Sequence, residues 1–417
     1  MDSEGGIFMR AGYGKYELTP PMGVELAGFG YYLERRAQTV IDPLFARAVM
    51  LETENTKSLL ISCEVLGLSR EVCADVFRHA EQYGIAPENV IIVSVHTHTG
   101  PTIIYHEGTG AVDPDYVATV AGRIAKAIDE AASDMTEVTA LSHMAAPLPG
   151  DYIYNRADPE NGPVDRTVRG FAIARADKKP IALVSTACHG VFRQRIPHIS
   201  ADFAGGINRL IEQQNALPLY LNGLCGDIDP WNPTPERLDE FADLVTSIFV
   251  KGHQLLPLTL EAGDIPFTLR LIPVIREDII SAAQTAVEKA GSPEKGPARV
   301  ALIWKDEMLE KLDRLTDTEE ICGKYLILGG VPIVAVPFEG FTCIGQEIRE
   351  IIGREDALTL GCAEELLGYL PTRDDIKRGA YAALESTFLY KRLPVVPGEA
   401  ERLGEEMGKA LKNILKS

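Results

Sequence analysis

The sequence predicts an α/β protein in which mixed β-sheets are flanked by helices. Two observations indicate this class: short apolar runs rich in β-branched residues recur along the chain, and longer amphipathic segments separate them. The length of 417 residues, with 46% hydrophobic residues, suffices for one large core. Because no repeat, low-complexity tract or flexible linker interrupts the chain, we predict a single α/β domain over residues 10–417.

Seven segments are predicted to be strands, because they are apolar or strand-like in pattern and turn residues bound them. In chain order they are 12–19, 45–52, 58–63, 90–95, 180–187, 218–224 and 326–336. The second and third should form a hairpin, since a polar turn joins them. Val90–Val95 is strongly β-branched and is closed by Gly100-Pro101, so we expect a buried strand there.

Eight segments have helical periodicity or helix-terminal residues. They are 70–83, 114–133, 202–214, 235–256, 276–290, 298–320, a segment beginning near 342, and 398–416. Gly84 is a good residue to end the first helix, and Asp113-Pro114 is a good N-cap and first residue for the second. We interpret residues 275–322 as a helical insertion at the surface.

Charge and composition exclude several classes of partner. The formal net charge is −19, and no basic cluster provides the footprint that nucleic acid or an anionic membrane requires. The longest apolar run, 325–338, contains Gly-Gly and two prolines, so no transmembrane segment is expected. The acidic N-terminus lacks the apolar core of a secretory signal, and seven scattered cysteines fit free thiols. We expect a cytoplasmic protein with a small-molecule substrate, and a homo-oligomer stays open.

Polar side chains follow four of the predicted strands. They are His96 and His98, His189, Asp227 and Asp229, and Glu339. Ligands in open α/β proteins bind beyond the carboxyl ends of strands, and side chains two apart on an extended chain share a face. Two histidines and a carboxylate, with a fourth position open for water, are the ligands of a hydrolytic zinc site. The pattern therefore predicts a zinc-dependent hydrolase.

The same residues carry a resemblance to the neutral/alkaline (non-lysosomal) ceramidase family. In detail the chain is most similar to the short bacterial members that lack a C-terminal immunoglobulin-like domain. The resemblance extends from about residue 11 to 255 and from about 326 to 390, and the segment between them matches poorly. Its motifs are Leu18-Thr19-Pro20, Gly28-Phe29, Leu44-Phe45-Ala46-Arg47-Ala48, Val95-His96-Thr97-His98-Thr99-Gly100-Pro101, Asn155-Arg156, Ala187-Cys188-His189-Gly190, Gly226-Asp227-Ile228-Asp229-Pro230, Pro337-Phe338-Glu339 and Gly368-Tyr369-Leu370-Pro371-Thr372.

The resemblance implies a ligand set for zinc. The family holds its zinc with two histidines, a glutamate and a tyrosine, which match His96, His189, Glu339 and Tyr369. Only the resemblance assigns Tyr369, which by pattern alone is a half-buried aromatic residue, and Tyr381 is its rival for the role. The fold that the resemblance implies is the catalytic domain of a neutral ceramidase.

The resemblance also implies roles beside the metal. His98 matches a histidine that stabilises the developing oxyanion, and Arg156 matches an arginine near the substrate, although an ordinary surface ion pair explains Arg156 equally well. Asp229 stands where the family has serine, so it can act as a general base or recognise a cationic or hydroxyl-rich substrate. This difference argues against membrane ceramide as the substrate.

The leading hypothesis is hydrolysis of an amide-type (N-acyl) bond in a small soluble substrate by metal-hydroxide attack. An amidohydrolase-type barrel is the second reading, but that class places His-x-His on its first strand. A metallo-β-lactamase needs an aspartate where Gly100 stands. A non-catalytic binding protein that keeps the metal is the third reading.

Overall fold

The computed structural model describes residues 8–416 as strands and helices in alternation. The strands are β1 (Met9–Glu17), β2 (Thr39–Val40), β3 (Phe45–Thr53), β4 (Lys57–Cys63), β5 (Val90–Ser94), β6 (Thr136–Pro147), β7 (Ile153–Asn155), β8 (Thr167–Arg175), β9 (Lys178–Thr186), β10 (His198–Ile199), β11 (Leu217–Asn222), β12 (Ile228–Pro230), β13 (Gln254–Leu256), β14 (Leu260–Arg270), β15 (Thr318–Leu328), β16 (Val331–Ala335), β17 (Glu339–Gly340), β18 (Leu358–Leu360) and β19 (Tyr369–Leu370). The helices are α1 (Arg70–Ala80), α2 (Pro114–Ser133), α3 (Asp202–Gln213), α4 (Pro235–Phe249), α5 (Arg276–Ala290), α6 (Gly296–Glu310), α7 (Thr342–Ile352), α8 (Arg373–Arg378), α9 (Glu385–Leu389) and α10 (Glu399–Ile414).

The largest sheet is mixed and has nine strands in the order β11-β9-β8-β6-β1-β3-β4-β5, with β13 paired to β6. Most neighbours are antiparallel, and the pairs at the two ends, β9/β11 and β4/β5, are parallel. The two ends also meet: the Ser62 hydroxyl donates to the Tyr220 carbonyl at 2.5 Å, and the Asn222 amide donates to the Val95 carbonyl at 3.2 Å. The loops that follow β5 and β9 therefore lie side by side.

A second sheet has four strands in the order β14-β15-β16-β18, and its last pair is parallel. Isolated bridges join it to the large sheet, from Val93 to Ala363 and from Gly223 to Leu360. The second sheet thus brings the end of β16 beside the ends of β5 and β11.

Alternating side chains explain how the sheets and helices pack. In β4, Leu59 and Ile61 pack with α1 and α2 on one face. Leu60, on the other face, points into a central core that the nine-stranded and four-stranded sheets share. In β9, Val184 packs with α3 and α4, whereas Leu183 enters the same central core. Every second side chain of a strand faces the same way, so each sheet fills the central core with one face and covers the other with helices.

Several predicted elements are confirmed. Strands β3 and β4 form the expected hairpin. Helix α1 continues as a 3-10 turn to Tyr83 and ends at Gly84, whose φ of +71° is the left-handed conformation that glycine favours. Asp113 caps α2 by accepting a hydrogen bond from the Tyr116 amide.

Three segment predictions are wrong in part. The apolar run 326–336 is two antiparallel strands, β15 and β16, because Gly329-Gly330 turns the chain with positive φ at both glycines. The helix predicted over 298–320 ends at Glu310, and Thr318 begins β15. The predicted insertion 275–322 is therefore helical only in its first part. The helix predicted over 235–256 ends at Phe249, and 254–256 is a strand.

The architecture also decides between the readings of the histidine pair. Predominantly antiparallel sheets contradict an amidohydrolase-type barrel, which needs eight parallel strands. None of the helices in the described part of the chain has the length and apolar character needed to span a bilayer. The acidic N-terminal segment used to predict the absence of a leader lies outside the described residues. The assignment of residues 10–417 to one domain stays a prediction.

Candidate metal centre

Three parallel strand pairs supply the loops of the candidate site. His96 follows β5, His189 follows β9 and Glu339 follows β16, each close to the carboxyl end of its strand. A bridge between Thr97 and Gly190 holds the two histidine loops together. The predicted convergence of strand ends is therefore present. It arises where the two ends of the nine-stranded sheet meet the four-stranded sheet, and not at one edge of a single open sheet.

His96 is fixed with one ring nitrogen turned towards the site. Its φ of +62° takes the chain out of the extended conformation, so β5 ends before it. Its Nδ1 lies 2.8 Å from the Leu66 carbonyl, which accepts a hydrogen bond from the ring and leaves Nε2 as a free acceptor. The expectation that His96 and His98 share one face of a strand is wrong, because a turn and not strand alternation brings their rings together.

His189 is fixed in the same way and is fully buried. Its Nδ1 lies 2.6 Å from the Cys225 carbonyl, so its Nε2 is also left as an acceptor. A backbone carbonyl on the far nitrogen is the usual partner that orients a metal-binding histidine and sets its tautomer.

Glu339 completes a set of three converging acceptors. Its Oε2 lies 3.1 Å from His96 Nε2 and 3.0 Å from His189 Nε2. Donors on a tetrahedron with bonds of about 2.0–2.1 Å are about 3.3–3.4 Å apart, so these separations fit the shell of one ion. Gly226 permits this arrangement, since a Cβ there would lie 2.2 Å from the Glu339 carbonyl oxygen.

The electrostatics of Glu339 agree with a cation-binding role. Burial acts to raise the pKa of this carboxyl group, but the neighbouring His96 and His189 outweigh burial and hold the pKa well below its usual range. The carboxylate is therefore ionised in a buried position, where an isolated charge is costly. When no proton lies on the two Nε2 atoms, three acceptors face one another, and this arrangement is unfavourable without a cation, so the residues present fit a divalent metal ion.

His98 and Tyr369 lie next to these three residues, and each is close to a different histidine. His98 Nε2 is 3.3 Å from His96 Nε2, and the Tyr369 hydroxyl is 3.4 Å from His189 Nε2. The ring nitrogens of His96, His98 and His189 lie within 4.8 Å of one another, so these three histidines could together hold a metal ion. His98 differs from the other two because its Nδ1 is buried without a hydrogen-bond partner.

Burial governs the protonation of both flanking residues. Burial, followed by the charges of His96 and His189, holds the pKa of His98 well below its usual value, so this ring is neutral near pH 7. Burial raises the pKa of Tyr369 well above its usual value, although the charge of Arg156 acts in the opposite direction. Tyr369 reaches the site because β17 and β19 pair in parallel and set it beside Glu339.

Arg156 and Asp229 form an ion pair at the edge of the site. Arg156 Nη1 lies 3.3 Å from Asp229 Oδ1, and Arg156 Nη2 donates to the Tyr369 hydroxyl at 2.8 Å. The second guanidinium nitrogen also donates to the Gly226 carbonyl at 3.0 Å. Arg156 therefore lines the cavity and forms an ion pair there, and its role near a substrate stays a prediction.

Asp227, in contrast, has a structural role. One of its oxygens accepts hydrogen bonds from the amide and hydroxyl of Thr342 at the start of α7, and the other accepts from Asn155. The seven cysteines are free, and burial raises the pKa of Cys188 well above its usual value, so this thiol beside His189 is unreactive.

A cavity of about 340 Å³ opens over these residues. All of the sequence-predicted catalytic residues line it, namely His98, Arg156 and Asp229, as do His96, Glu339 and Tyr369. Tyr381 also lines the cavity, but its described contact is an edge-on packing against Tyr369 with ring centroids 5.8 Å apart.

The sequence did not identify several residues that line the cavity, among them Tyr390, His106, Phe29 and Arg195. The Tyr390 hydroxyl donates a short hydrogen bond to Glu339 Oε1, and the His106 ring packs on Tyr390 with centroids 4.2 Å apart. The pairing of Gly28 with Phe29 gave one usable signal. Gly28 has a φ of +82°, and a Cβ there would lie 2.3 Å from His98 Nδ1, so only glycine lets this loop approach the histidine.

Comparison with known proteins gives a fold assignment. No protein-family model and no curated protein sequence matches the chain. The crystal structure of neutral ceramidase from Pseudomonas aeruginosa is similar with a TM-score of 0.74 and 15% identity, covering 98% of this chain and 75% of that one. A structure of ceramidase complexed with C2 gives a TM-score of 0.73 and 14% identity, with 98% and 76% covered. The predicted fold is therefore confirmed.

Proposed function

We propose that this chain, which has the fold of neutral ceramidase, is a zinc-dependent hydrolase that cleaves an amide-type bond of a small substrate. The observation that carries the proposal is that Glu339 Oε2 lies 3.1 Å from His96 Nε2 and 3.0 Å from His189 Nε2, beneath a cavity of about 340 Å³. A buried set of acceptors facing open volume is the arrangement of a catalytic metal site, which keeps one position for water or substrate.

His96, His189, Glu339 and Tyr369 are the proposed ligands. Two nitrogen donors and a carboxylate suit zinc, and the Tyr369 hydroxyl is 3.4 Å from His189 Nε2, a ligand-to-ligand distance. His98 is the competing fourth ligand, since its Nε2 is equally close to His96. We assign His98 to the substrate side because no backbone carbonyl orients its ring, whereas His96 and His189 each have one.

Bound zinc supplies a Lewis acid and lowers the pKa of its water to about 7. The residues of the chain supply the remaining chemistry. His98 Nε2 can donate a hydrogen bond to the substrate carbonyl oxygen as negative charge develops on it. Asp229 faces the cavity beside Arg156, and its carboxylate can accept the proton of the attacking water.

The proposed reaction adds one water molecule to the amide. The acyl carbon gains the hydroxyl group, the carbon–nitrogen bond breaks, and the leaving nitrogen takes a proton that Asp229 or His98 can deliver. Arg156 holds Asp229 and Tyr369 in position through its two terminal nitrogens, so its planar guanidinium is not replaceable by lysine.

Metal content tests the proposal directly. The purified protein, His189→Ala and Glu339→Gln are incubated with Zn²⁺, desalted and measured by elemental analysis, with His253→Ala as control because His253 does not line the cavity. We expect about one zinc per chain in wild type and control, and less than about one tenth of that in the two site variants. Wild type without metal after this treatment contradicts the hydrolase mechanism.

Activity on neutral N-acyl amides separates the hydrolase from a metal-containing binding protein. We expect turnover by wild type and His253→Ala, and none above background in Glu339→Gln. Stoichiometric zinc together with tight amide binding and no turnover favours the non-catalytic alternative.

A further inference from the structure

One part of the cavity wall carries positive charge that no carboxylate balances. Arg195 lines the cavity and is exposed to it. Its described contact is with the ring of Phe29, whose centroid lies 5.8 Å from the guanidinium carbon. Among residues 8–416, no ion pair or hydrogen bond to the Arg195 side chain is present, so its charge is available to a ligand.

A second guanidinium group contacts the same aromatic ring. Arg35 is only 8% exposed, and its guanidinium carbon lies 5.0 Å from the centroid of the same Phe29 ring. It donates hydrogen bonds only to backbone carbonyls, which belong to Ala27, Gly28, His98 and Ile196.

No carboxylate in the described part of the chain lies within ion-pair distance of Arg35, and its Nε is buried without a hydrogen-bond partner. Burial, followed by the charge of Arg195, lowers the pKa of Arg35 to about 10, so the buried Arg35 is still charged near pH 7. A buried charge without a counter-ion is costly, and a bound anion would relieve that cost.

The other charges of the cavity are already matched. Asp229 pairs with Arg156 at 3.3 Å, and Glu339 faces His96 and His189. Asp229 therefore leaves no free negative charge to attract a cationic substrate. The charge that remains unmatched in this cavity is positive, although the whole chain carries a net charge of −19.

The position of this charge relative to the reacting atoms indicates which part of a substrate it meets. The Phe29 ring that both guanidinium groups contact also packs edge-on against the His98 ring, with centroids 4.9 Å apart. One aromatic ring thus separates the arginine pair from the residue assigned to the substrate carbonyl. An anionic group held there is on the same side of the cavity as His98.

We propose that the substrate of this site is an N-acyl amino acid, whose carboxylate binds Arg195 on the side of the cavity that Phe29 lines, with the buried Arg35 on the same Phe29 ring. The proposal rests on the proposed amide hydrolase and adds the substrate class. A guanidinium binds a carboxylate through two parallel hydrogen bonds, which also fixes the orientation of the neighbouring amide. Water then adds to the acyl carbon, the carbon–nitrogen bond breaks, and the products are a carboxylic acid and the free amino acid.

Matched substrates test the proposal by kinetics. N-acetylphenylalanine and its neutral carboxamide are compared in wild type, Arg195→Ala and the control Arg78→Ala, which removes an exposed arginine on α1. We expect wild type and Arg78→Ala to prefer the carboxylate in kcat/KM by about tenfold or more, because a hydrogen bond to a charged group has about that effect. Arg195→Ala should lose the preference, because kcat/KM for the carboxylate falls by about tenfold more than kcat/KM for the carboxamide, and Arg195→Lys should recover part of the preference.

A binding measurement separates this proposal from the proposed function. Isothermal titration calorimetry with the same two compounds is performed on metal-free wild type and on Arg195→Ala, so it needs no turnover. Tighter binding of the carboxylate that Arg195→Ala abolishes supports the anion site even if no amide is hydrolysed. Hydrolysis without preference, equal binding of the two compounds, or a preference for phenylalanine amides with a free amine overturns the anion site and leaves the hydrolase standing.

Discussion

Two cavities of similar volume differ in how their polar groups are used. The first, of about 340 Å³, lies over the candidate metal centre. The second, of about 420 Å³, lies between α1 and the strands β14 and β15 and has a largely apolar wall that includes Cys73, Phe77 and Ile321. Judged by volume and apolar character, the second is the better binding pocket.

The polar groups around the second cavity are satisfied within the protein. Arg70 binds Glu365 through two hydrogen bonds of 2.6 Å. Lys324 pairs with Asp264 at 2.7 Å, and Glu364 accepts a hydrogen bond from the Ile92 amide at 3.1 Å. At the first cavity, two ring nitrogens and a carboxylate oxygen face one another instead. The two cavities therefore differ less in volume than in whether their polar groups are paired within the protein.

The largest effect, on zinc affinity, is expected for Tyr390, which contacts the proposed ligand Glu339 and not the metal itself. Replacing Tyr390 by phenylalanine removes the hydrogen bond to Glu339 Oε1, the oxygen that does not face the histidines. Loss of a partner that orients a metal ligand lowers affinity by about 10- to 100-fold, so we expect zinc affinity to fall by that factor in a chelator competition assay. Tyr381→Phe is the matched control and should bind zinc like wild type. Equal losses in both variants contradict the assignment.

Candidate site residues could be predicted where the residue type alone indicates its chemistry, as with histidine and glutamate as metal ligands. His96, His189 and Glu339 were predicted because imidazole and carboxylate side chains follow apolar strands, and in the structure Glu339 lies within 3.1 Å of each histidine. Tyr390 and Arg195 were not found, because a tyrosine on a short helical turn and an arginine in a loop are ordinary surface residues in sequence. Their positions beside the cavity depend on long-range contacts, which no local pattern contains.

The fold was predictable where local pattern and tertiary environment agree. The hairpin β3–β4 and helix α2 have clear turn and cap residues, and both were placed correctly. Strand β14 was missed although its buried and exposed residues alternate almost perfectly, because Pro266 lies in its middle. Proline is tolerated there since β14 is the edge strand of its sheet, a fact that depends on pairing and not on the segment itself.

A second test concerns the pH dependence of the unfolding free energy, to which Glu364 in the second cavity contributes. Burial raises the pKa of Glu364 to about 8, partly offset by Lys324, whereas an unfolded glutamate titrates near pH 4.3. Between these values the folded state holds a proton that the unfolded state has lost, so stability falls as pH rises. Relative to Glu364→Gln, we expect the unfolding free energy of wild type to fall by up to about 1.4 kcal/mol per pH unit between about pH 5 and 8.

Urea unfolding of both proteins across this range measures the effect. Glu365→Gln is the neighbouring control, and its difference from wild type should not follow the same slope, since Glu365 is paired with Arg70 at the cavity rim. Zinc affinity should be the same in all three proteins. Parallel curves for wild type and Glu364→Gln refute a protonated carboxyl group in this cavity.

The smallest effect is expected for the ion pair at the rim of the second cavity. Arg70 and Glu365 have good two-point geometry, but the Arg70 side chain is 69% exposed, so solvent and salt weaken their attraction. Arg70→Ala should therefore lower the unfolding free energy by less than about 1 kcal/mol in urea and leave zinc content unchanged. A loss well above this value means that the pair closes the rim cooperatively with the apolar wall. In that case the ion pair at the rim of the second cavity contributes to the stability of the fold together with the apolar wall.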